Sequence, residues 1–230
     1  MSHEDIAKTF DHWAGASMDQ GMEQEHGDVV RQVLQHIAPG PGQQVLDLGC
    51  GNGWATRLLA KAAPGAGAVG IDVSPAMIAK AEELHSFTIR ARYEVGTFED
   101  IPAGDAKFDR AFSMEALYYA VDLEKTFSEI LRVLKPGGRF DAIIDHYEES
   151  PLTLKWREAA GLDTQWMGED AWCAKLEAAG FEGASKQRVH DSRGAGDEAD
   201  FEPSHGYESF ADWVSVREAG SLWLSGTKPA

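Results

Sequence analysis

Cysteine is nearly absent. Only Cys50 and Cys173 occur among 230 residues, so no disulfide framework is expected and the pair fits a reducing compartment. Both read as packing residues. Long apolar runs are missing too. None approaches the roughly 18 residues of a membrane span. The opening M-S-H-E-D-I-A-K is charged and lacks the apolar core of a signal peptide, so a cytoplasmic protein is expected. Positive charge is scarce, with 21 basic residues against 38 acidic ones and a net charge of −17. Such a surface repels phosphate backbones and anionic lipid, so neither nucleic acid nor a membrane is an expected partner. The eight histidines are scattered without ligand spacing, and no metal is expected. No repeat with a period of about 20–50 residues is visible.

What is present suits one folded domain over residues 1–230. Hydrophobic residues make up 43% of the chain, too many for a disordered one. Residues 45–54 read V-L-D-L-G-C-G-N-G-W. Val45, Leu46 and Leu48 form the short apolar run of a buried strand. Gly49, Gly51 and Gly53 follow at alternate positions, and helix formers begin at Trp54. Glycine tolerates positive φ and lets backbone N–H groups approach a ligand. Strand, glycine loop and helix N-terminus together make a nucleotide cradle. The dinucleotide spacing G-x-G-x-x-G is not met.

Strands and helices then alternate. Residues 68–72 form a second strand, ending on Asp72, where an acid can bind ribose hydroxyls. Ser74-Pro75 opens a helix to about Leu84. Further strands are expected at 92–95, 108–114 and 139–144, with a helix from Asp122 closed by residues 135–138. Helices are expected near 152–160 and 169–179. A strand is expected at 181–189, a loop at 191–206, a short helix at 210–216 and a last strand at 221–228. Alternation of this kind implies an α/β parallel sheet with helices on both faces. Before the glycine loop, Val29, Val30, Val33, Leu34 and Ile37 share one helical face. Residues 1–25, with Phe10, Trp13, Met18 and Met22, read as a lid segment. Residues 191–220 read as an insertion before the last strand.

Five stretches carry a resemblance: V-L-D-L-G-C-G-N-G at 45–53, G-I-D-V-S-P-A-M at 70–77, G-T-F-E-D-I-P at 96–102, F-D-R-A-F-S-M-E-A-L-Y-Y at 108–119 and I-L-R-V-L-K-P-G-G-R-F at 130–140. In order and spacing they resemble class I S-adenosylmethionine (SAM) dependent methyltransferases. The small-molecule branch that includes the ubiquinone and menaquinone biosynthesis enzymes is the nearest in pattern, and L-E-A-A-G-F at 176–181 also looks like it. The resemblance implies a Rossmann-like, doubly wound sheet of seven strands with the last antiparallel. It implies that the backbone of Gly49, Cys50, Gly51 and Gly53 holds the methionine part of SAM. Asp47 helps fix that end, Asp72 binds the ribose, and Val73 and Met77 pack on adenine. Thr97 stands where the family has an acid for the adenine amine, and the N–H of Phe98 is placed to reach an adenine nitrogen. Glu99 matches the family's later acid.

SAM is already a strong methyl donor, so the protein must mainly orient an acceptor and exclude water. The motifs therefore point to the cofactor, SAM, and leave the small-molecule acceptor unspecified. Ligands of open α/β sheets sit beyond the C-terminal strand ends. Those ends offer Met114, Glu115, Tyr118 and Tyr119 after the fourth strand, and Asp145, His146 and Tyr147 after the fifth. Met114 is assigned to the cofactor, and Tyr119 and His146 are the catalytic candidates. The other rim residues read as packing. Two alternatives stay open: a SAM-binding partner protein without catalysis, and an NAD-dependent oxidoreductase. A homodimer is the assembly to test.

Overall fold

The computed structural model describes residues 1–203 and 206–230. Two helices lead: α1, His3–Ala16, and α2, Met22–Ile37. Strand β1, Gln44–Leu48, precedes α3, Trp54–Lys61, and β2, Gly67–Asp72, precedes α4, Pro75–Glu83. Next come β3, Ala91–Val95, β4, Phe108–Met114, α5, Leu123–Val133, and β5, Leu134–Ile144. The last third holds α6, Thr153–Ala160, α7, Glu169–Ala179, β6, Glu182–Val189, α8, Phe210–Ala219, and β7, Ser221–Thr227.

The strands form one seven-stranded sheet in the order β3-β2-β1-β4-β5-β7-β6. Strands β1 to β5 run parallel to their neighbours, and β7 lies antiparallel to both β5 and β6. The expected fold is thus found. Alternation along β1 divides the core. Leu46 and Leu48 face a cluster with Phe127, Ile130 and Trp172 from α5 and α7. Val45 faces the opposite cluster with Val30, Val33 and Leu59 from α2 and α3. Burying both faces is why β1 reads as an apolar run rather than an alternating one. Asp47 is the exception, and it belongs to the site.

Local chemistry sets the helix starts. The Ser74 hydroxyl accepts the Met77 N–H at 3.0 Å with Pro75 at the first helical position. Asp122 accepts the Lys125 N–H at 3.0 Å. Strand β5 departs from expectation, because it begins at Leu134 rather than Arg139. Leu134 caps α5 in an extended conformation, and the residue before a proline is disfavoured in the helical region, so Lys135 continues the extended chain. Leu134 then pairs with Phe108, and the register slips between Phe108 and Arg110, where Pro136 needs no ladder donor. Helix α8 runs to Ala219, past the expected Val216.

The 191–220 segment, read from sequence as an insertion, contains residues 204 and 205, which lie outside the described residues. Its start is fastened to α2. Arg193 donates to the carbonyls of Gln24 and Glu25 at 2.7 and 3.0 Å, and Ser192 donates to Asp28. Among the described residues, no helix is long and apolar enough to cross a membrane.

Candidate active site

Strand β1 ends in a loop whose three glycines all have positive φ: 71° at Gly49, 51° at Gly51 and 79° at Gly53. The glycines answer two different needs. A Cβ on Gly49 would overlap the Ala116 Cβ, and one on Gly53 would lie 2.5 Å from the Tyr93 ring. Those two are required by close packing. A Cβ on Gly51 would meet nothing within 4 Å and would stand in open space. That space is the mouth of a cavity of about 820 Å³, counting its opening.

The cavity lies past the C-terminal ends of β1, β2, β3 and β4, where the chain reverses direction across the sheet. Gly49, Cys50, Gly51, Asp72 and Val73 line it. So do Met77, Thr97, Phe98 and Met114. Nine of the eleven residues assigned to the cofactor from sequence therefore share one wall. The remaining two, Asp47 and Gly53, sit beneath the loop and off that wall. Asp47 is 1% exposed and accepts the Thr56 hydroxyl at 2.5 Å. Burial pushes its carboxyl up to about 7. Its influence on a ligand must pass through the loop it supports.

Asp72 ties the loop to the next helix. One carboxylate oxygen accepts the Gly51 N–H and the other the Ser74 N–H, both at 2.9 Å. Burial raises its carboxyl to about 6 against the lowering effect of those bonds. Glu99 also lines the cavity. One of its oxygens accepts the N–H groups of Val121 and Asp122, at 2.8 and 2.9 Å, so it fixes the turn after β4.

The N-terminal segment covers this cavity through three polar clasps. His3 Nε2 lies 2.7 Å from Glu99 Oε2. Asp11 accepts the Ser74 hydroxyl at 2.6 Å and the Ala76 N–H at 3.1 Å, capping α4 from outside. Asp19 accepts Asn52 Nδ2 at 2.8 Å and Lys80 Nζ at 2.5 Å. Phe10, Trp13 and Met22 line the cavity, whereas Met18 is 42% exposed and turned outward. A methionine at a helix junction has no periodicity to fix its direction. Asp11, Asp19 and Lys80 were missed, because their partners are tens of residues away in sequence and no local pattern marks them.

A second cavity of about 910 Å³ adjoins the first, and Phe10, Trp13, Met22, Glu115 and Tyr119 line both. Tyr119 is therefore at the junction. His146 lines only the second. Its Nε2 lies 2.8 Å from the Thr164 hydroxyl, and its ring packs on Trp156 and Trp166. Burial lowers this imidazole to about 4, which keeps it neutral. Burial also raises both Tyr118 and Tyr119 well above the usual phenol range, so each is a neutral hydroxyl. Tyr147 is buried and donates to the carbonyls of Ala219 and Gly220, as a packing residue would. Glu115, read from sequence as a packed rim residue, stands at the junction instead, in the left-handed region with φ 49°.

A doubly wound sheet with a glycine cradle, a strand-end acid and an adjoining chamber defines a nucleoside-cofactor protein that acts on a second molecule. A family model described as a methyltransferase domain matches residues 39–192. The chain is 32% identical to a Haloferax volcanii protein described as a putative methyltransferase, solved with the Trm112 methyltransferase activator. That match has a TM-score of 0.86 and covers 96% of this chain and 98% of that one. It is 31% identical to the O-methyltransferase resE of Aspergillus sclerotiorum, over 65% of this chain and 60% of that protein. It is 38% identical to the uncharacterized methyltransferase sll0829 of Synechocystis, over 60% of this chain and 63% of that protein. The chain thus spans less than two thirds of these two curated relatives. It belongs to the class I SAM-dependent methyltransferase family, whose methyl donor is S-adenosylmethionine. The match favours that reading over the nicotinamide one. The cradle fits this cofactor on its own evidence, since a side chain at Gly51 would fill the ligand's space and Asp72 presents a buried carboxylate beside it.

Proposed function

We propose that the chain transfers a methyl group from SAM to a small molecule held in the second cavity. The observation that carries this is the pair of adjoining cavities with Glu115 and Tyr119 at their junction. Gly49, Cys50 and Gly51 offer backbone to the methionine end, with Asp47 and Gly53 holding the loop from beneath. Asp72 accepts the ribose hydroxyls, and Val73, Met77, Thr97, Phe98 and Met114 enclose the base and the reacting end. When bound, SAM supplies an electrophilic methyl group. Tyr119 donates a hydrogen bond that orients the acceptor, and His146, neutral and aromatic-packed, positions its far side. The lid excludes water. The single domain spans 1–230, with the lid and the 191–220 insertion as elaborations. Calorimetry tests the cofactor half: S-adenosylhomocysteine binds and NAD does not. The opposite result overturns the reading.

The Haloferax relative was solved with an activator protein, and we propose an activator of the same type for this chain. Strand β3 is a sheet edge, and Leu84, Phe87 and Val95 beside it are 55%, 102% and 52% exposed. An unpaired edge flanked by apolar side chains suits strand addition by a partner. Co-purification with a Trm112-type protein should be lost in Phe87→Glu and Val95→Glu. Light scattering showing a stable dimer of the chain alone, lost in the same variants, would assign the edge to self-association instead.

A further inference from the structure

The second cavity has an uneven chemistry. Its wall is largely aromatic, with Phe10, Tyr118, Tyr119, Trp156, Tyr207 and Trp213. Its charged groups are mostly carboxylates: Glu25, Glu115, Asp145 and Asp191. Asp191 is neutralised, because Arg193 and Arg217 both pair with it. That pairing holds Arg217, the one arginine on the wall among the described residues, against Asp191 rather than against Glu25, Glu115 or Asp145. His26 lies 3.6 Å from Asp145 and 3.9 Å from Glu25.

Among the described residues, no lysine or arginine pairs with Glu115 or Asp145, which lie close together. One Glu115 oxygen accepts the Asp145 N–H and the other accepts the Tyr118 hydroxyl at 2.9 Å. Asp145 Oδ1 is buried with no hydrogen-bond partner, and so is Nδ1 of His146, a residue 1% exposed on the same wall. A buried acceptor without a donor is costly and marks a place for a ligand. Glu115 is further held at φ 49°, a conformation a non-glycine residue keeps only when its surroundings enforce it. Aromatic faces attract cations, paired carboxylates attract cations, and an unpartnered carboxylate oxygen requires an N–H or O–H donor. An ammonium group meets all three demands. A carboxylate or phosphate meets none.

We propose that the acceptor is a protonated amine with an apolar body, and that Glu115, assisted by Asp145, receives its proton and frees the nitrogen for methylation. This rests on the methyltransferase reading above. The ammonium N–H gives its proton to a Glu115 oxygen, leaving the lone pair on nitrogen. That pair forms the N–C bond to the methyl carbon as the C–S bonding pair returns to sulfur. The products are an N-methylammonium and S-adenosylhomocysteine, and the proton on Glu115 passes to solvent. Burial and the neighbouring Asp145 raise the Glu115 carboxyl well above the usual range, which suits it to hold that proton. Tyr118 and Tyr119 hold their phenolic protons too tightly for the task, and His146 is too weak a base.

Matched sets of equal shape test this on the full chain loaded with S-adenosylhomocysteine. One set is phenethylamine, 2-phenylethanol and phenylacetate. Another is tryptamine, tryptophol and indole-3-acetate. A third is butylamine, butanol and propionate. The amine should bind at least tenfold tighter than its partners in one or more sets, and labelled SAM should place its methyl on that amine. Glu115→Gln and Asp145→Asn should each erase the preference; Asp145→Asn, whose side chain lines only the second cavity, should keep S-adenosylhomocysteine affinity within threefold, and circular dichroism should show both variants folded. Alcohols or carboxylates binding as tightly as amines in every set would overturn the proposal. So would Glu115→Gln retaining wild-type amine affinity and methylation. Failure of the wild-type chain to bind S-adenosylhomocysteine would instead strike the methyltransferase reading beneath it.

Discussion

Replacing Asp72 by Asn separates its two roles. In the free protein burial lifts this carboxyl from 3.8 to about 6. At about 1.4 kcal/mol per pH unit, that rise means folding favours the protonated form by roughly 3 kcal/mol. Because the folded value is the higher one, this stability is complete below about pH 4 and lost as pH rises through about 6. Above that, the charged Asp72 is a burden on the fold. A neutral amide would relieve it, but the amide nitrogen cannot accept from one of the two N–H groups of Gly51 and Ser74. Leaving a buried donor unpaired costs about 1–3 kcal/mol. The effects oppose, so unfolding by urea at pH 7 should show a net change within about 2 kcal/mol. Binding has no such offset. Losing a ribose partner should weaken S-adenosylhomocysteine by about 1–3 kcal/mol, roughly 5- to 150-fold by calorimetry. In the wild type, affinity should rise with pH through about 6 as the carboxylate forms. Affinity within threefold of wild type in Asp72→Asn would refute the assignment. A loss of stability above about 4 kcal/mol would show that the two backbone bonds dominate.

The other predictions are sharper in outcome. Gly51→Val should abolish cofactor binding, since its side chain would enter the cavity at φ 51°, and thermal unfolding should show the protein still folded. Tyr119→Phe and His146→Ala should lower turnover on the amine found by the matched sets while S-adenosylhomocysteine affinity stays within threefold, about 0.7 kcal/mol. A collapse of that affinity would move both residues into the cofactor pocket. Deleting residues 1–22 should leave the sheet folded by circular dichroism but remove most turnover. Asp11→Ala, which removes the bonds to Ser74 and the Ala76 N–H but leaves the Ser74 cap, should cost about 0.5–2 kcal/mol of stability.

Much of the fold was written locally. A glycine at positive φ, a serine and proline at a helix start and an apolar run between them each act within a few residues. The cradle and Asp72 are therefore legible in the sequence alone. The same locality misled at β5, where L-K-P-G-G looked like a helix stop and turn. Pairing with β4 drew Leu134 and Lys135 into the strand.

Short-range preferences were enough for the order of strands and helices, the place of the cradle and nine of the residues on the first cavity wall. Those features follow from φ preference, periodicity and position at a strand end. Which strand-end residues share a chamber depended on long-range packing. That packing put Asp47 beneath the loop, because a carboxylate at an inward position of β1 bonds Thr56 across the turn of α3. It made Glu99 a fastening for the turn at Val121 and for His3 of the N-terminal segment. It set Glu115 and Asp145 side by side, because β4 and β5 are neighbours in the sheet although 30 residues separate the pair in the chain. Charge, burial and missing partners at that meeting point depend on groups brought from α2, α6 and the 191–220 insertion, and no short stretch of the chain contains them.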